Sequence, residues 1–129
     1  MKNATELLAR ILLSFMFIMS GFSKISGYAA TQGYMDSMGV PGMLLPLVIA
    51  LELGGGILLL VGFQTRIMAL LFAGFCLASA YLFHFKPDDQ MQMISFMKNI
   101  AIAGGMLLLV IYGAGAWSVD AWRANKKSD

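Results

Sequence analysis

Charged and amide side chains stand inside apolar stretches that are long enough to cross a membrane. Lys98 and Asn99 lie within the apolar residues 91–112, and Glu52 lies at the middle of residues 41–63. A bilayer span needs about 20 mostly apolar residues, and a lysine at its centre costs at least ~2.5 kcal/mol. We therefore expect Lys98 to face protein or a water-filled cavity and to have an acidic partner. Glu52 is the obvious partner because it is the only acid deep in another apolar segment.

Three more ionisable residues stand near the ends of such segments. Arg10 and Lys24 share one face of the first apolar segment, because steps of three and four residues connect them through positions 14, 17 and 21. At 1.5 Å per residue the two are ~21 Å apart along the helix axis. His84 lies at the end of the third segment. We expect Glu52 to pair with Arg10, with Lys98 or with both, and Lys24 and His84 to face the mouth of the same polar region.

Together these side chains predict a polar pocket inside the membrane. Its residues are Arg10, Lys24, Glu52, His84, Lys98 and Asn99. In this interpretation Lys98 or His84 donates a hydrogen bond to the oxygen of an apolar, carbonyl-bearing ligand, and His84 exchanges protons. The alternative is a buried ion pair that only fixes the register of the helices. Both interpretations stay open on the sequence.

Other chemistries lack the residues that they need. Cys76 is the only cysteine, which excludes an intrachain disulfide, a CxxC redox pair and an all-cysteine iron–sulfur site. His84 is the only histidine, so one chain cannot ligate a haem through two histidines. The sequence contains no P-loop, no GxGxxG, no metal-ligand cluster and no nucleophile–base spacing. It therefore assigns no metal, no covalently bound cofactor and no catalytic residue.

The composition indicates an integral membrane protein. Of the 129 residues, 59% are hydrophobic and 12% are charged, against about 25% charged residues in typical soluble domains. A soluble domain of this length could not bury so much apolar surface. The net charge of +2 is too small to indicate a nucleic-acid partner. The lipid bilayer is therefore the expected partner.

The apolar segments predict four helical spans. We place them at about residues 5–23, 41–63, 67–85 and 91–112, followed by an interfacial and basic tail at 116–129. The first segment is interpreted as a retained span and not as a signal peptide, because Arg10 interrupts it and no small-residue cleavage site follows. Short connections make neighbouring spans antiparallel. The expected fold is therefore an all-α, antiparallel four-helix bundle that forms one domain, residues 1–129.

Small residues mark the helix faces that we expect to pack, because they let two helix backbones approach closely. They are Gly21, Gly54, Gly55, Gly56 and Gly105. Lys98 shares its face with Gly105, and Glu52 lies on the same side of its helix as Gly55 and Gly56. The buried charges are therefore expected to point into protein and away from lipid.

The distribution of cations predicts the orientation in the membrane. If both termini are on one side, that side carries Lys2, Arg66, Arg123, Lys126 and Lys127. The other side carries Lys24 and Lys86 beside aspartates at positions 36, 88 and 89. The positive-inside rule then places both termini in the cytoplasm.

An ordered set of short motifs resembles the DoxX-like family of small four-span bacterial membrane proteins, and looks close to its enterobacterial inner-membrane members. The motifs are an arginine in the first span (Arg10), GFSK at 21–24, YMDSMGVP at 34–41, LELGGG at 51–56, GFQTR at 62–66, LFHF at 82–85 and FMKN at 96–99. They follow one another in family order over nearly the whole chain. The specificity lies in this ordered set and not in any single motif.

The resemblance implies a multi-pass protein of the bacterial inner membrane with a link to quinones. The family is similar to a subunit of an archaeal thiosulfate:quinone oxidoreductase, and other members are linked to membrane complexes that handle thiol and oxidative stress. Because the sequence contains no redox cofactor site of its own, an electron-transfer role would require it to hold a quinone for a redox partner protein.

Three functions stay open on the sequence. The first is a component of a quinone-linked oxidoreductase whose polar pocket binds the quinone. The second is a non-enzymatic scaffold or assembly subunit, in which the buried charges fix helix packing or bind a partner chain or a second copy. The third is a small transporter or proton path, ranked last because four helices leave little room for alternating access.

Overall fold

The computed structural model describes residues 2–84 and 86–128, and no β-strand occurs in that part of the chain. Within these ranges the helices are α1 (Lys2–Ser26), α2 (Tyr28–Ser37), α3 (Gly42–Val61), α4 (Thr65–Phe83), α5 (Gln90–Tyr112) and α6 (Val119–Ser128). Four of them, α1, α3, α4 and α5, are long and apolar enough to cross a membrane. The predicted all-α fold with four candidate spans is confirmed, and each predicted span overlaps one of these four helices.

The helix ends differ from the predicted spans most visibly in α1. The predicted span is 5–23, whereas the helix runs from Lys2 to Ser26. Hydropathy marks only the part of a helix that lies in hydrocarbon, and backbone hydrogen bonding continues into polar residues at both ends. The short α2 follows directly, within the loop between the first two spans.

The hydrogen-bonding pattern of α3 changes along its length. The helix starts with a 3-10 turn at Gly42–Leu44 and is α-helical over Leu45–Ile49. It then widens into a π-helix at Ala50–Gly55 and returns to an α-helix at Gly56–Val61. π segments are rare and frequently lie at functional sites. The one in α3 contains Glu52, so the irregular part of this helix coincides with its charged residue.

Residues 2–64 and 114–128 form the first of two compact units. In this unit α1 packs against α3 in antiparallel orientation, because the start of α1 meets the end of α3 and the end of α1 meets its middle. Phe17, Leu45 and Leu59 are buried. α2 lies against the start of α3, where the backbone N–H of Gly42 donates to Asp36 at 2.7 Å.

Residues 65–113 form the second unit. Its two helices, α4 and α5, pack against each other, and Arg66 at the start of α4 lies beside Gly113 at the end of α5. The pair is therefore antiparallel. Buried small side chains recur along α4 at Ala69, Ala73, Cys76 and Ala80. Asp89 caps α5 by accepting from the backbone N–H of Met91 at 3.0 Å. The single domain expected from the sequence stays a prediction.

Candidate functional site

An ion pair joins α1 and α3 inside the first unit. The Nζ of Lys24 lies 2.7 Å from Oε1 of Glu52 and also donates to the Oγ of Ser20 at 2.7 Å. The side chain of Glu52 is 4% exposed, whereas that of Lys24 is 25% exposed. The carboxylate is therefore enclosed by protein, and the ammonium is the part of the pair that a ligand can reach.

Helical spacing brings the three side chains of this site together. Ser20 and Lys24 are four residues apart on α1, so they lie on one face of that helix. Lys24 stands in the last turn of α1, where a cation also complements the partial negative charge of the helix end. Glu52 projects from the π segment of α3. We call Ser20, Lys24 and Glu52 the Lys24–Glu52 site.

Glycines set how closely the two helices approach at this site. A Cβ on Gly21 would lie 2.9 Å from the backbone nitrogen of Leu53, a distance that real Cβ atoms essentially never show. A Cβ on Gly56 would lie 2.8 Å from Cγ1 of Ile18. A larger residue at Gly21 would push backbone against backbone. These two glycines therefore permit the close crossing that brings Lys24 to the carboxylate on α3.

The glycines that the sequence singled out for helix packing have different surroundings. Gly21 and Gly56 stand at the crossing of α1 and α3, and Gly55 is buried. Gly105 is half-buried. No atom of the described residues lies within 4 Å of the place that a Cβ on Gly54 would take. A packing role for Gly54 and Gly105 stays a prediction.

Arg10 does not pair with Glu52, so that expected pairing is wrong, and the cation in contact with Glu52 is Lys24. The Nη1 of Arg10 donates to the backbone carbonyl of Leu60 at 2.8 Å and to that of Leu59 at 3.3 Å. Because α1 and α3 are antiparallel, the beginning of α1 lies beside the end of α3. That end is about two helical turns beyond Glu52, too far for the carboxylate and guanidinium to meet.

The carbonyl groups that Arg10 reaches belong to the C-terminal end of α3. Gly62 adopts a left-handed conformation with φ +78. Its N–H donates to the carbonyl of Leu59 at 3.2 Å, and the N–H of Phe63 donates to that of Leu58 at 2.9 Å. This is the Schellman arrangement that commonly ends helices. The C-terminal end of a helix carries partial negative charge, so the buried guanidinium of Arg10 stabilises this end of α3.

The C-terminal segment, defined as residues 114–128, is attached to the same end of the first unit. The N–H of Asp120 donates to the carbonyl of Gly62 at 2.8 Å, and its Oδ1 accepts from the N–H of Gln64 at 2.8 Å. Arg10 contributes a further contact, because its Nη2 donates to the carbonyl of Trp117. The carboxylate of Asp120 also interacts electrostatically with Arg10. Arg10 therefore connects α1, α3 and the C-terminal segment.

The remaining predicted pocket residues belong to the second unit. Lys98 is exposed and Asn99 is half-buried, both on α5. His84 ends a π segment, Ala80–His84, at the end of α4, and its side chain lies outside the described part of the structure. The grouping of these three residues with Glu52 in one pocket stays a prediction.

Sequence reasoning missed Ser20, Gly62 and the backbone carbonyl groups that Arg10 binds. Ser20 could have been found, because it precedes Lys24 by four residues and therefore shares its face. Gly62 directly follows an apolar run, which is the usual place of a glycine that ends a helix. No side-chain pattern marks a backbone acceptor. The partners of Arg10 become visible only when the crossing of the helices is known.

Chemically, the Lys24–Glu52 site offers a hydrogen-bond donor held in place by a buried carboxylate. The ammonium of Lys24 donates a hydrogen bond to Ser20 and forms an ion pair with Glu52, whose Oε1 accepts no hydrogen bond within the described part of the chain. Because an ammonium has three donors, it can also donate to a carbonyl oxygen or to an anion. Among the described residues no group of three or more His, Cys, Asp or Glu is arranged to hold a metal ion.

Four apolar helices of membrane-spanning length, with an ion pair between two of them, define a polytopic α-helical membrane protein. The chain belongs to the DoxX family, whose sequence profile matches residues 5–85.

The relatives agree with this assignment. The chain is 55% identical to the inner membrane protein YqjF of Escherichia coli (strain K12) over 120 residues, 93% of this chain and 92% of the relative. It is 42% identical to the inner membrane protein YphA of the same organism over 121 residues, 88% and 86% of the two chains. A shorter match, 37% over 67 residues, covers 52% of this chain and 50% of "Putative oxidoreductase CatD" of Bacillus subtilis (strain 168). No solved structure matches. The chain is therefore a multi-pass protein of the inner membrane.

Proposed function

We propose that the chain is an inner-membrane component of a quinone-linked oxidoreductase and that the Lys24–Glu52 site holds the quinone. The observation that carries the proposal is the partly exposed ammonium of Lys24, 2.7 Å from the buried carboxylate of Glu52. A quinone is an apolar molecule with carbonyl oxygens, so it can reach such a donor from the bilayer. The name of the relative CatD, "Putative oxidoreductase", supports the reaction class.

The surroundings of the site fit a ligand of this kind. Glu52 attracts the ammonium of Lys24, and Ser20 accepts a hydrogen bond from it, so the ammonium is held in place while a donor remains for a carbonyl oxygen. Ile25, which follows Lys24 in the last turn of α1, is exposed and offers an apolar contact to a ring or an isoprenoid tail. The bound quinone would supply the redox chemistry, and a partner protein would exchange electrons with it.

Mass spectrometry of an organic extract from the gently purified protein tests the proposal. We expect quinone in roughly stoichiometric amounts in the wild type. Lys24→Met keeps the length of the side chain and removes the donor, so most of the quinone should be lost. Lys86→Met is the matched control, because this lysine is exposed in the loop between α4 and α5. Lys98→Met tests the wider pocket predicted from the sequence.

Glu52→Gln separates ligand binding from folding. The amide keeps the shape of the side chain but lacks the negative charge that attracts the ammonium of Lys24, so we expect less bound quinone in a protein that still inserts. Retained insertion is checked by yield in the membrane fraction and by thermal unfolding in detergent. Absence of quinone from the wild type, or equal quinone in Lys24→Met and Lys86→Met, contradicts the proposal.

A scaffold without enzymatic activity is the second candidate. The observation that favours it is that Arg10 and Glu52 are both buried and each joins α1 to another segment of the chain. Breaking a buried ion pair typically costs about 3–5 kcal/mol. If the chain is a scaffold, Lys24→Met should lower the unfolding temperature. A partner chain should then co-purify in stoichiometric amounts, without any small molecule. The extract and the co-purification of a partner chain therefore discriminate between the two functions, because the loss of stability is expected under both.

A further inference from the structure

The C-terminal segment lies at the edge of the hydrocarbon region, because it is attached to the end of a membrane-spanning helix. α3 has 20 residues and ends at Val61. At 1.5 Å per residue its length of about 30 Å matches the thickness of the hydrocarbon core. Asp120 exchanges hydrogen bonds with Gly62 and Gln64, directly beyond this helix. The segment is therefore held at the level of the lipid headgroups.

The carboxylates at this end of the first unit are turned toward the protein. Oδ1 of Asp120 accepts the hydrogen bond from Gln64. Glu6 lies against Gly115, whose φ of +89 and missing Cβ leave room for the carboxylate. Both acids are also close enough to Arg10 to interact with it electrostatically. Their negative charge is thus directed inward, toward a buried cation.

The cations at the same end are turned outward. Lys126 is exposed, and its Nζ lies 4.9 Å from the ring centre of Trp122. Arg123 is half-buried, with its guanidinium 5.1 Å from the ring centre of Phe63. Such cation–π contacts hold the side chains against aromatic rings. Lys2, at the start of α1, is exposed as well. The surface is therefore basic, although Asp120 lies in the same segment.

Both tryptophans of the chain lie in this segment and are exposed, Trp117 at 55% and Trp122 at 60%. Tryptophan is enriched at the boundary between membrane and water, where the ring contacts acyl chains and the N–H contacts headgroups. An indole beside a cation matches a phospholipid, which places an acyl chain beside a phosphate. The position at the end of α3 puts this surface next to such lipids.

We propose that the C-terminal segment is a binding surface for anionic phospholipids. Arg123 and Lys126 face the phosphate groups, and Trp117 and Trp122 lie among the headgroups and the first acyl carbons. The surface is formed within the first unit and does not depend on a quinone at the Lys24–Glu52 site. Basic residues next to a leaflet that contains anionic lipids are attracted to it.

Quenching of tryptophan fluorescence by brominated lipids tests this proposal on the full-length chain. Both tryptophans belong to the segment, so the intrinsic fluorescence reports on this surface alone. The protein is reconstituted into phosphatidylcholine vesicles that contain equal fractions of either brominated phosphatidylglycerol or brominated phosphatidylcholine. We expect quenching by brominated phosphatidylglycerol to be at least about twofold stronger. High salt should reduce the difference, because it screens exposed charges.

Variants of the cations identify the source of the preference. In Arg123→Gln/Lys126→Gln the two brominated lipids should quench equally, whereas Lys86→Gln, in a different loop, should keep the wild-type difference. Lys126→Gln alone should lower the preference without disturbing the contact between Arg123 and Phe63. Equal quenching in the wild type overturns the proposal, and so does a preference that survives the double variant. If neither lipid quenches the fluorescence, the segment lies in water, as expected for a surface that binds a protein or a nucleic acid. That result overturns the proposal too.

Discussion

Arg10 and Lys24 are both cations of α1, yet their side chains bind different kinds of groups. The planar guanidinium of Arg10 donates in several directions at once, and it reaches carbonyl oxygens of two separate segments. The ammonium of Lys24 is a compact charge and meets one carboxylate and one hydroxyl. A lysine at position 10 could not bridge the same acceptors. Arg10 therefore stabilises the fold, and Lys24 is available for a ligand.

Gly62→Ala should destabilise the C-terminal end of α3. A left-handed conformation costs a residue with a Cβ about 1–2 kcal/mol. At Gly62 this Cβ would also collide with Ser118 and come within 2.7 Å of Nη1 of Arg10. We expect a loss of unfolding free energy above about 2 kcal/mol, measured by thermal or denaturant unfolding in detergent.

Gly74→Ala is the matched control for Gly62→Ala. Gly74 lies within α4, and no atom of the described residues is within 4 Å of its Cβ position. Alanine favours a helix over glycine by up to about 1 kcal/mol, so this variant should be neutral or slightly more stable. If the two variants unfold alike, the cap at the end of α3 is not needed for stability.

The sequence predicted that Glu52 would be enclosed, but not which cation would lie beside it. Glu52 is buried, as its place in an apolar run with glycines beside it indicates. The cation beside it in the first unit is Lys24, whereas Arg10, Lys98 or both had been expected, and the pairing with Lys98 stays a prediction. A pattern of residues gives the position along a helix, whereas pairing depends on the rotation and crossing angle of two helices. The rotation and the crossing angle follow from contacts such as that of Gly21 with Leu53.

Gly21→Ala should destabilise the crossing of α1 and α3. The added Cβ would lie 2.9 Å from the backbone nitrogen of Leu53 and 3.3 Å from the Cβ of Glu52. Because backbone atoms cannot move aside as a flexible side chain can, the two helices must separate. We expect a loss of about 1–3 kcal/mol in unfolding free energy, measured in detergent. Bound quinone should fall in the same variant.

Gly54→Ala is the matched control for Gly21→Ala. Gly54 belongs to the same π segment as Glu52, but its Cβ position is free of described atoms within 4 Å. The substitution should leave stability and ligand content close to those of the wild type. If Gly54→Ala is as harmful as Gly21→Ala, the π segment itself is sensitive to any side chain and the close crossing is not the cause.

The number and order of the spans were predictable from the sequence, and the irregular parts were not. Hydropathy and length find α1, α3, α4 and α5, because about 20 apolar residues are needed to cross hydrocarbon. The π segment Ala50–Gly55 leaves no mark in the apolar pattern, because one widened turn is too short to establish a different hydrophobic period. A widened turn arises from the fit between neighbouring helices, and a single sequence does not display that fit.

Contacts within the first unit join the start of α1 to the C-terminal segment, so we expect both ends of the described chain to lie on one side of the membrane. Arg10, near the start of α1, donates to Trp117 of the C-terminal segment. Lys24 and Glu52 lie toward the opposite end of α1. The Lys24–Glu52 site and the proposed lipid-binding surface therefore lie at different positions along α1, near its last turn and near its start. A ligand at one and lipids at the other would not compete for space.

We expect both termini of the protein to face the cytoplasm. The excess of lysine and arginine on the side of the termini predicts that this side faces the cytoplasm. Cys76 is buried, so single cysteines can be labelled selectively with a membrane-impermeant maleimide. In intact cells Asp88→Cys should react, and Lys126→Cys should react only after the cells are opened. The Lys24–Glu52 site would then face the periplasmic half of the bilayer, where a quinone would enter. The reverse labelling pattern would place this site in the cytoplasmic half and the basic surface in the opposite leaflet, which contradicts the orientation argued from charge.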